Sequence, residues 1–521
     1  MCGILALFRK KESCTLDCPV LNGRGPDSVN IVQDGNGRYL LAFYRLAING
    51  TSSEGNQPME KDGIFLMCNG EIYNYKELAE EYKIPLVTGS DCEIIIPLYQ
   101  QLGFREMLQK LHGVFAIVMV IPKENKVLIS RDRIGVRPLF YGTSNNGEFG
   151  LASVPNALTP MFPTIFPITP SSYMTFTIDS STEFRPTLVS RFSRLAIPSV
   201  LQPVDLTTLG ELLVKAVKMR LLSDRPIACL LSGGLDSSII TAIIVKFLGG
   251  ENVRTYSIGM EGSTDLEYAR VVADYLHTNH TEVLFTPEQG FEIIPKVIEA
   301  LGSYDITTVR ASVGMYLISK YISENTQDKV IFSGEGSDEL LGGYLYFHKA
   351  PDIETANLET LRLLEELHLY DVLRCDRCIS VHGLEPRVPF LDKDVVDYVL
   401  SLDPKDKFGP IVSTQNASKG IEKEILRKAF SGFLPESVLW RRKEGFSDGV
   451  SSVKKAWYQY IQEFIEKIPD LEHTDNYPSK EAMYYKLIFD KCFPKYDLKL
   501  DYWMPRWSNT ADPSGRLIEI D

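Results

Sequence analysis

Leu230-Leu231-Ser232-Gly233-Gly234-Leu235-Asp236-Ser237-Ser238 decides the fold of the second half of this chain. It joins an apolar run, Ile227 to Leu231, to a helical stretch from about Asp236 to Leu248 through a turn of two glycines. Backbone amides in such a turn, with the open amino end of the helix, cradle an anion. No Walker A lysine is present, so transfer of a γ-phosphate is not implied. A plain glycine turn would account for the backbone but not for an acid and three hydroxyls converging on it.

On either side of this motif, strand and helix signals alternate. Asp205 caps a helix whose apolar positions Leu206, Leu209, Leu213, Ala216 and Val217 share one face. Strand signals recur at Val253–Gly259, Thr281–Phe285 and Lys329–Phe332. This predicts a parallel sheet with crossover helices and ligands at the carboxyl ends of its strands. The first ~190 residues read instead as short strands between turns, among them Arg38–Phe43, Ile64–Cys68, Val114–Ile121 and Lys126–Ser130, and predict two layered sheets. The irregular stretch between Pro186 and Pro203 is the linker. The expected organisation is therefore residues 1–190, a linker 191–204, and residues 205–521.

A chain of 521 residues exceeds one hydrophobic core. Its formal charge of −13 and seven scattered histidines argue against a nucleic-acid surface and a metal-binding tract. Nine cysteines, an odd number with no apolar leader after Met1, point to a reducing compartment such as the cytoplasm rather than a disulfide framework. No run is long enough to span a bilayer. Cys375 and Cys378 have no second pair at zinc spacing and read as structural.

The chain opens Met1-Cys2-Gly3-Ile4. Removal of Met1 would leave Cys2 with both a thiol and a free α-amine, a nucleophile that carries its own base. Further motifs give this weight: Arg24-Gly25-Pro26-Asp27, Tyr44-Arg45-Leu46-Ala47, Asn69-Gly70-Glu71-Ile72-Tyr73-Asn74, Gly89-Ser90-Asp91-Cys92-Glu93 and Arg131-Asp132-Arg133-Ile134-Gly135-Val136-Arg137. In the second half stand Asp305 to Ser312, Ser333-Gly334-Glu335-Gly336-Ser337-Asp338-Glu339, Glu385 to Asp392 and Trp440 to Gly449.

With these motifs the chain resembles the glutamine-hydrolysing asparagine synthetases from Cys2 to about Ser514. The resemblance implies an amino-terminal class II glutamine amidotransferase domain with the four-layer αββα fold of N-terminal-nucleophile hydrolases. It implies an α/β carboxy-terminal domain, a parallel sheet of the adenine nucleotide α-hydrolase type. Cys2 would attack glutamine, with the Asn69 amide and the Gly70 N–H as oxyanion hole. Arg45, Leu46, Ile48, Asn69, Gly70, Glu71 and Asp91 would bind glutamine. Leu230, Ser232, Gly233, Gly234, Asp236, Ser237, Ile258, Ser333 and Gly334 would bind ATP, with Asp236 and Asp338 as magnesium ligands. Lys443 would lie over the phosphates, and Glu335 would take a proton as ammonia attacks a β-aspartyl-AMP.

An internal ammonia tunnel, action on small molecules without nucleic acid or membrane, and compatibility with a homodimer follow from the same resemblance. Gly23 and Tyr44 stand where the family commonly has histidines, and Ser153 to Leu158 lacks the usual Glu and Lys. Three rivals are weighed. One is a relative amidating another carboxylate, a β-lactam synthetase among them; another is a hexosamine-forming amidotransferase, which would lack the Ser232–Ser238 loop. The third is a degenerate paralogue, which would have lost Cys2, Arg45, Asp236, Glu335 or Lys443, and all five are present.

Overall fold

Gly3–Phe8, the strand directly after Cys2, is buried along its whole length, and its position organises the front half. The computed structural model describes residues 1–8, 18–145, 147–178, 188–409, 411–412, 420–469, 471, 476–494 and 496–518. Gly3–Phe8 is an inner strand of a six-stranded sheet, paired antiparallel with Tyr39–Arg45 on one side and Phe149–Ala152 on the other. A second six-stranded sheet centres on Ile64–Ile72, Gly113–Ile121 and Lys126–Arg131, also antiparallel.

The inner faces of the two sheets meet in an apolar layer that includes Ile4, Ala6, Leu41, Phe43, Met67, Val118 and Ile129. Helices Tyr75–Glu81, Ile95–Leu102 and Phe104–Lys110 supply Leu78, Ile95, Leu98 and Leu108 to the outer face of the second sheet. Over the first sheet lies the short helix Pro19–Asn22, which adds Leu21 to a core that continues into the back half. The αββα order is thus present, with two stacked sheets as expected.

In the back half, five parallel strands run in the order Asn279–Leu284, Arg254–Gly259, Ile227–Leu230, Val330–Phe332, Glu385–Arg387. The chain starts at the central strand, moves to one edge, then returns and builds the other side. The order therefore reverses between Ile227–Leu230 and Val330–Phe332, and a crevice opens outside the carboxyl ends of those two strands. Helix Leu206–Met219 begins as read, with the Asp205 carboxylate accepting from the Thr207 N–H at 2.9 Å and Leu209, Leu213, Ala216 and Val217 buried.

Strand ends in the parallel sheet differ from the sequence reading by one or two residues, the strand expected at Thr281 starting at Asn279, whereas the strand read as Ile64–Cys68 runs on to Ile72. Pairing of Asn279 with Arg254 extends the ladder beyond what residue type suggests. Cys375 and Cys378 are buried on helix Asp371–Ser380. Among the described residues, no helix is long and apolar enough to cross a membrane.

Candidate active site

The first site forms where Gly3–Phe8 leaves Cys2 between the two sheets. The Cys2 backbone N–H donates to Asn69 Oδ1 at 3.0 Å, and the Leu46 N–H donates to Cys2 Sγ at 3.4 Å. Asn69 is fully buried, and among the described residues its Nδ2 has no hydrogen-bond acceptor. An idle donor beside a thiol is what a developing oxyanion requires. Gly70 is fixed by crowding, since a Cβ there would lie 2.2 Å from the Val114 carbonyl oxygen of the paired strand.

Cys2, Arg45, Leu46, Ile48, Asn69, Gly70, Glu71 and Asp91 line one small cavity of about 30 Å³. The Arg45 guanidinium is engaged with the Ser52 carbonyl at 2.7 Å, Asn56 Oδ1 at 2.8 Å and the Gly50 carbonyl. A ligand that engages this guanidinium must displace those partners. Burial pushes the Cys2 thiol up to about 11 against the pull of the adjacent amine. That amine belongs to Met1, which is itself buried; it donates to the Leu384 carbonyl at 3.3 Å, and burial lowers it to about 6.

Glu71 is held well above the usual carboxylate range by burial and by neighbouring Asp91. Asp91, raised to about 6 by burial, accepts from the Ile72 N–H at 2.6 Å.

The second site fills the crevice predicted by the sheet order. Gly234 caps helix Leu235–Leu248 with no side-chain cap, so the first-turn amides face an anion, while its own N–H rests on Ser232 Oγ at 3.4 Å. Ser232 Oγ and Ser237 Oγ lie 3.1 Å apart across the turn. The loop after Val330–Phe332 packs directly on it, for a Cβ on Gly334 would lie 2.9 Å from the Ser237 nitrogen. The result is a cavity of about 190 Å³ lined by Leu230, Ser232, Gly234, Asp236, Ser237, Ile258, Ser333, Gly334, Glu335, Asp338 and Lys443. Gly233 stands behind this wall, with a φ of 70° and no room for a side chain against Tyr268 and Ala269.

Asp236 and Asp338 converge on two lysines. Lys423 Nζ donates to both Asp236 oxygens at 2.8 and 2.7 Å and lies 2.6 Å from Asp338 Oδ1; Lys443 Nζ donates to Asp338 Oδ2 at 2.6 Å. Despite burial, these two lysines hold Asp338 far below the usual carboxylate range. Glu335 is different. Burial raises it to about 7, Arg374 opposing and Asp371 reinforcing the shift.

Three residues at these sites were not among the expected site residues, although Glu385 opens one of the quoted motifs. Lys423, between Glu422 and Glu424, looks like part of a solvated charge run, yet it is 3% exposed with a φ of 58°. Arg374 reaches Glu335 at 2.9 Å from helix Asp371–Ser380. Glu385 belongs to the parallel sheet but lines the Cys2 cavity, paired with Arg387 at 2.9 Å. The same helix also bridges the sites: Arg24 donates to the Cys2 carbonyl at 3.1 Å and to Asp376 at 2.9 Å. Gly23, one of the departures, is explained here, because a Cβ would lie 2.4 Å from the Val381 carbonyl at the end of that helix.

Comparison with known proteins agrees with this two-site arrangement. A family model described as asparagine synthase matches residues 208–367 and 354–511, and one described as a glutamine amidotransferase domain matches residues 1–198. The chain is 40% identical over 562 residues to a protein of Gallus gallus named asparagine synthetase [glutamine-hydrolyzing], covering 100% of this chain and 99% of that one. Proteins of the same name from Cricetulus griseus and Homo sapiens are also 40% identical, each covering 99% of this chain and 98% of their own length.

Proposed function

The chain belongs to the glutamine-hydrolysing asparagine synthetases, and on that premise we propose that it converts ATP, aspartate, glutamine and water into asparagine, AMP, diphosphate and glutamate. The observation that carries the first half is the buried, unpartnered Asn69 Nδ2 beside Cys2. After excision of Met1, the α-amine of Cys2 takes the thiol proton and the sulfur attacks the glutamine amide carbon. Asn69 Nδ2 and the Gly70 N–H receive the oxyanion, each such donor being worth about 3–4 kcal/mol. The C–N bond breaks, ammonia leaves, and water hydrolyses the thioester to glutamate. Arg45 holds the α-carboxylate of glutamine with Leu46 and Ile48 beside it, while Glu71 and Asp91 hold its α-ammonium.

In the second site, the Gly234 amide, released from Ser232 Oγ, takes the phosphates of ATP with Ser232 and Ser237, Gly233 shapes the turn from behind, and Ile258, Ser333 and Gly334 pack around the nucleotide beside Leu230. Two convergent carboxylates suit a magnesium ion shared with substrate phosphates, provided that it displaces the Lys423 and Lys443 ammonium groups from their oxygens. Asp236 and Asp338 would hold it, where it would neutralise charge building on the leaving diphosphate. Lys443, and Lys423 with it, steady the same charge. A carboxylate oxygen of aspartate attacks the α-phosphorus, diphosphate leaves, and ammonia then attacks the acyl carbon. Glu335 accepts a proton from that nitrogen as AMP departs.

Residues 1–190 form the glutaminase unit, 191–204 the linker and 205–521 the synthetase unit in this reading. The protein works on small molecules in a reducing cytoplasm, without nucleic acid or membrane, and is compatible with a homodimer.

The Cys2→Ala protein tests the division of labour. It is expected to lose glutamine-dependent synthesis and to keep asparagine and AMP formation from added ammonia. Loss of both would refute the two-site reading.

A further inference from the structure

A third cavity, of about 280 Å³, lies between the two halves of the chain and shares no lining residue with either site. Leu108, Leu111, Phe115, Phe192, Leu391 and Val396 give it an apolar wall drawn from the front half, the linker and the back half. Arg133, Arg220 and Lys393 line it as well.

Arg220 is 2% exposed. Its Nη1 donates to Asp392 Oδ2 at 2.6 Å and to the Ala216 carbonyl at 3.0 Å, while its Nε is buried with no acceptor among the described residues. Arg133 is in the same position. Its Nη2 lies 2.5 Å from Asp397 Oδ1 and donates to the Arg194 carbonyl at 3.2 Å, but its Nε and Nη1 are buried without an acceptor. Idle buried donors of this kind are costly until a ligand or water meets them.

Charge narrows what fits. Asp392 is taken by Arg220 and by His112, and Asp397 is paired with Arg133 but is half exposed, so that pair contributes little. Lys393 is exposed and belongs to none of the described ion pairs. The one carboxylate in the lining, Asp132, accepts from five backbone N–H groups at 2.7 to 3.2 Å and stands beside buried Arg131, which donates to three carbonyls. Three lining cations against the carboxylates of Asp392 and Asp397 leave one positive charge. A monocarboxylate balances it, whereas a phosphate monoester overshoots it and a bare inorganic anion leaves the apolar wall uncovered.

We propose that this cavity is a ligand site separate from both reaction centres, and that it takes a small monocarboxylate with an apolar body. Arg133 and Lys393 receive the carboxylate beside Arg220, and the body lies against Leu108, Phe115 and Phe192. Because the walls come from both halves, an occupant bridges them. The assignment does not depend on which carboxylate the second site amidates.

Calorimetric titration of the full chain with octanoate tests it. Octanoate should bind with a Kd of about 1 mM or tighter, a modest demand on ten heavy atoms. 1-Octanol, which lacks the charge, and acetate, which lacks the body, should each bind at least about tenfold more weakly. Excess ATP or glutamine should leave the octanoate Kd within about twofold, and displacement by either would put octanoate in a reaction centre and overturn the assignment.

Arg133→Gln should weaken octanoate at least about tenfold, with glutamine hydrolysis and ammonia-dependent synthesis held. Should that protein melt early, Lys393→Glu, a reversal of an exposed charge, should weaken octanoate about threefold or more. A normally melting Arg133→Gln or Lys393→Glu protein that binds octanoate within about twofold of the unaltered protein would overturn the assignment. Octanol binding as tight as octanoate would do so too, by making the cavity a purely apolar one, and so would an unaltered protein that binds no octanoate.

Discussion

Glu335 shows how a single residue's surroundings set its chemistry. Its carboxyl is raised to about 7 by burial, with Asp371 adding to the effect and Arg374 opposing it. As a proton acceptor it works only when ionised. At a fixed concentration of free ammonia, the rate of asparagine formation should therefore rise with pH through about 7 and level off above it. A rate that stays flat across that range would remove Glu335 from the role.

The stability sign is the reverse. The folded protein holds this proton where the unfolded chain has released it, so the contribution present at low pH is lost as pH rises through the folded value. At this scale Cys2, Asn69, Asp236, Glu335, Asp338 and Lys443 were legible because each sits in a distinctive local run. Lys423 was not, since its partner Asp236 is 187 positions away and its neighbours in sequence suggest only an exposed charge.

Among the elements, helix Ile306–Asn325 owes its position to both ends of its first half. Asp305 caps it by accepting from the Thr308 N–H at 2.8 Å. One turn on, Arg310 reaches Glu481 of helix Lys480–Cys492 at 2.8 and 2.6 Å and Asp512 at 2.7 Å by two nitrogens. Arg310 and Glu481 are 3% and 2% exposed.

Arg310→Met would leave Glu481 buried without its cation, a loss of about 3–5 kcal/mol. Calorimetry should show a clearly lower melting temperature, and an unchanged one would mean that the clamp is not structural. The helix was legible in outline, as were helix Leu206–Met219 and the strands of the parallel sheet, because apolar spacing and capping acids are local signals. The clamp was not, since nothing in the sequence near Arg310 announces a partner in the last fifty residues.

Across the molecule, one continuous apolar core runs from the first sheet through Val154, Ala157 and Phe162 into helix Leu206–Met219 and the parallel sheet. Polar contacts cross the same boundary: Asp376 takes Arg24 at 2.9 Å and Arg137 at 3.4 Å, both from the front half. Asp376→Asn weakens that grip at the helix that also carries Arg374. The asparagine formed per glutamate released should fall below the value for the unaltered protein, while glutaminase activity and ammonia-dependent synthesis both persist. An unchanged ratio would show that the contact serves cohesion alone. The two-part architecture was legible from the change in sequence pattern near Pro186–Pro203, but this interlock was not, because no local pattern reports which surfaces dock.

Glu385 carries the last consequence. It arrives on the edge strand of the parallel sheet and forms part of the wall around Cys2. A chimaera joining the front half to a different ligase at residues 191–204 would keep every residue that touches glutamine from its own side and still lack one wall of the pocket. Where the polypeptide can be cut and where the active site ends are different places, so the transplantable module is the front half together with Glu385–Arg387.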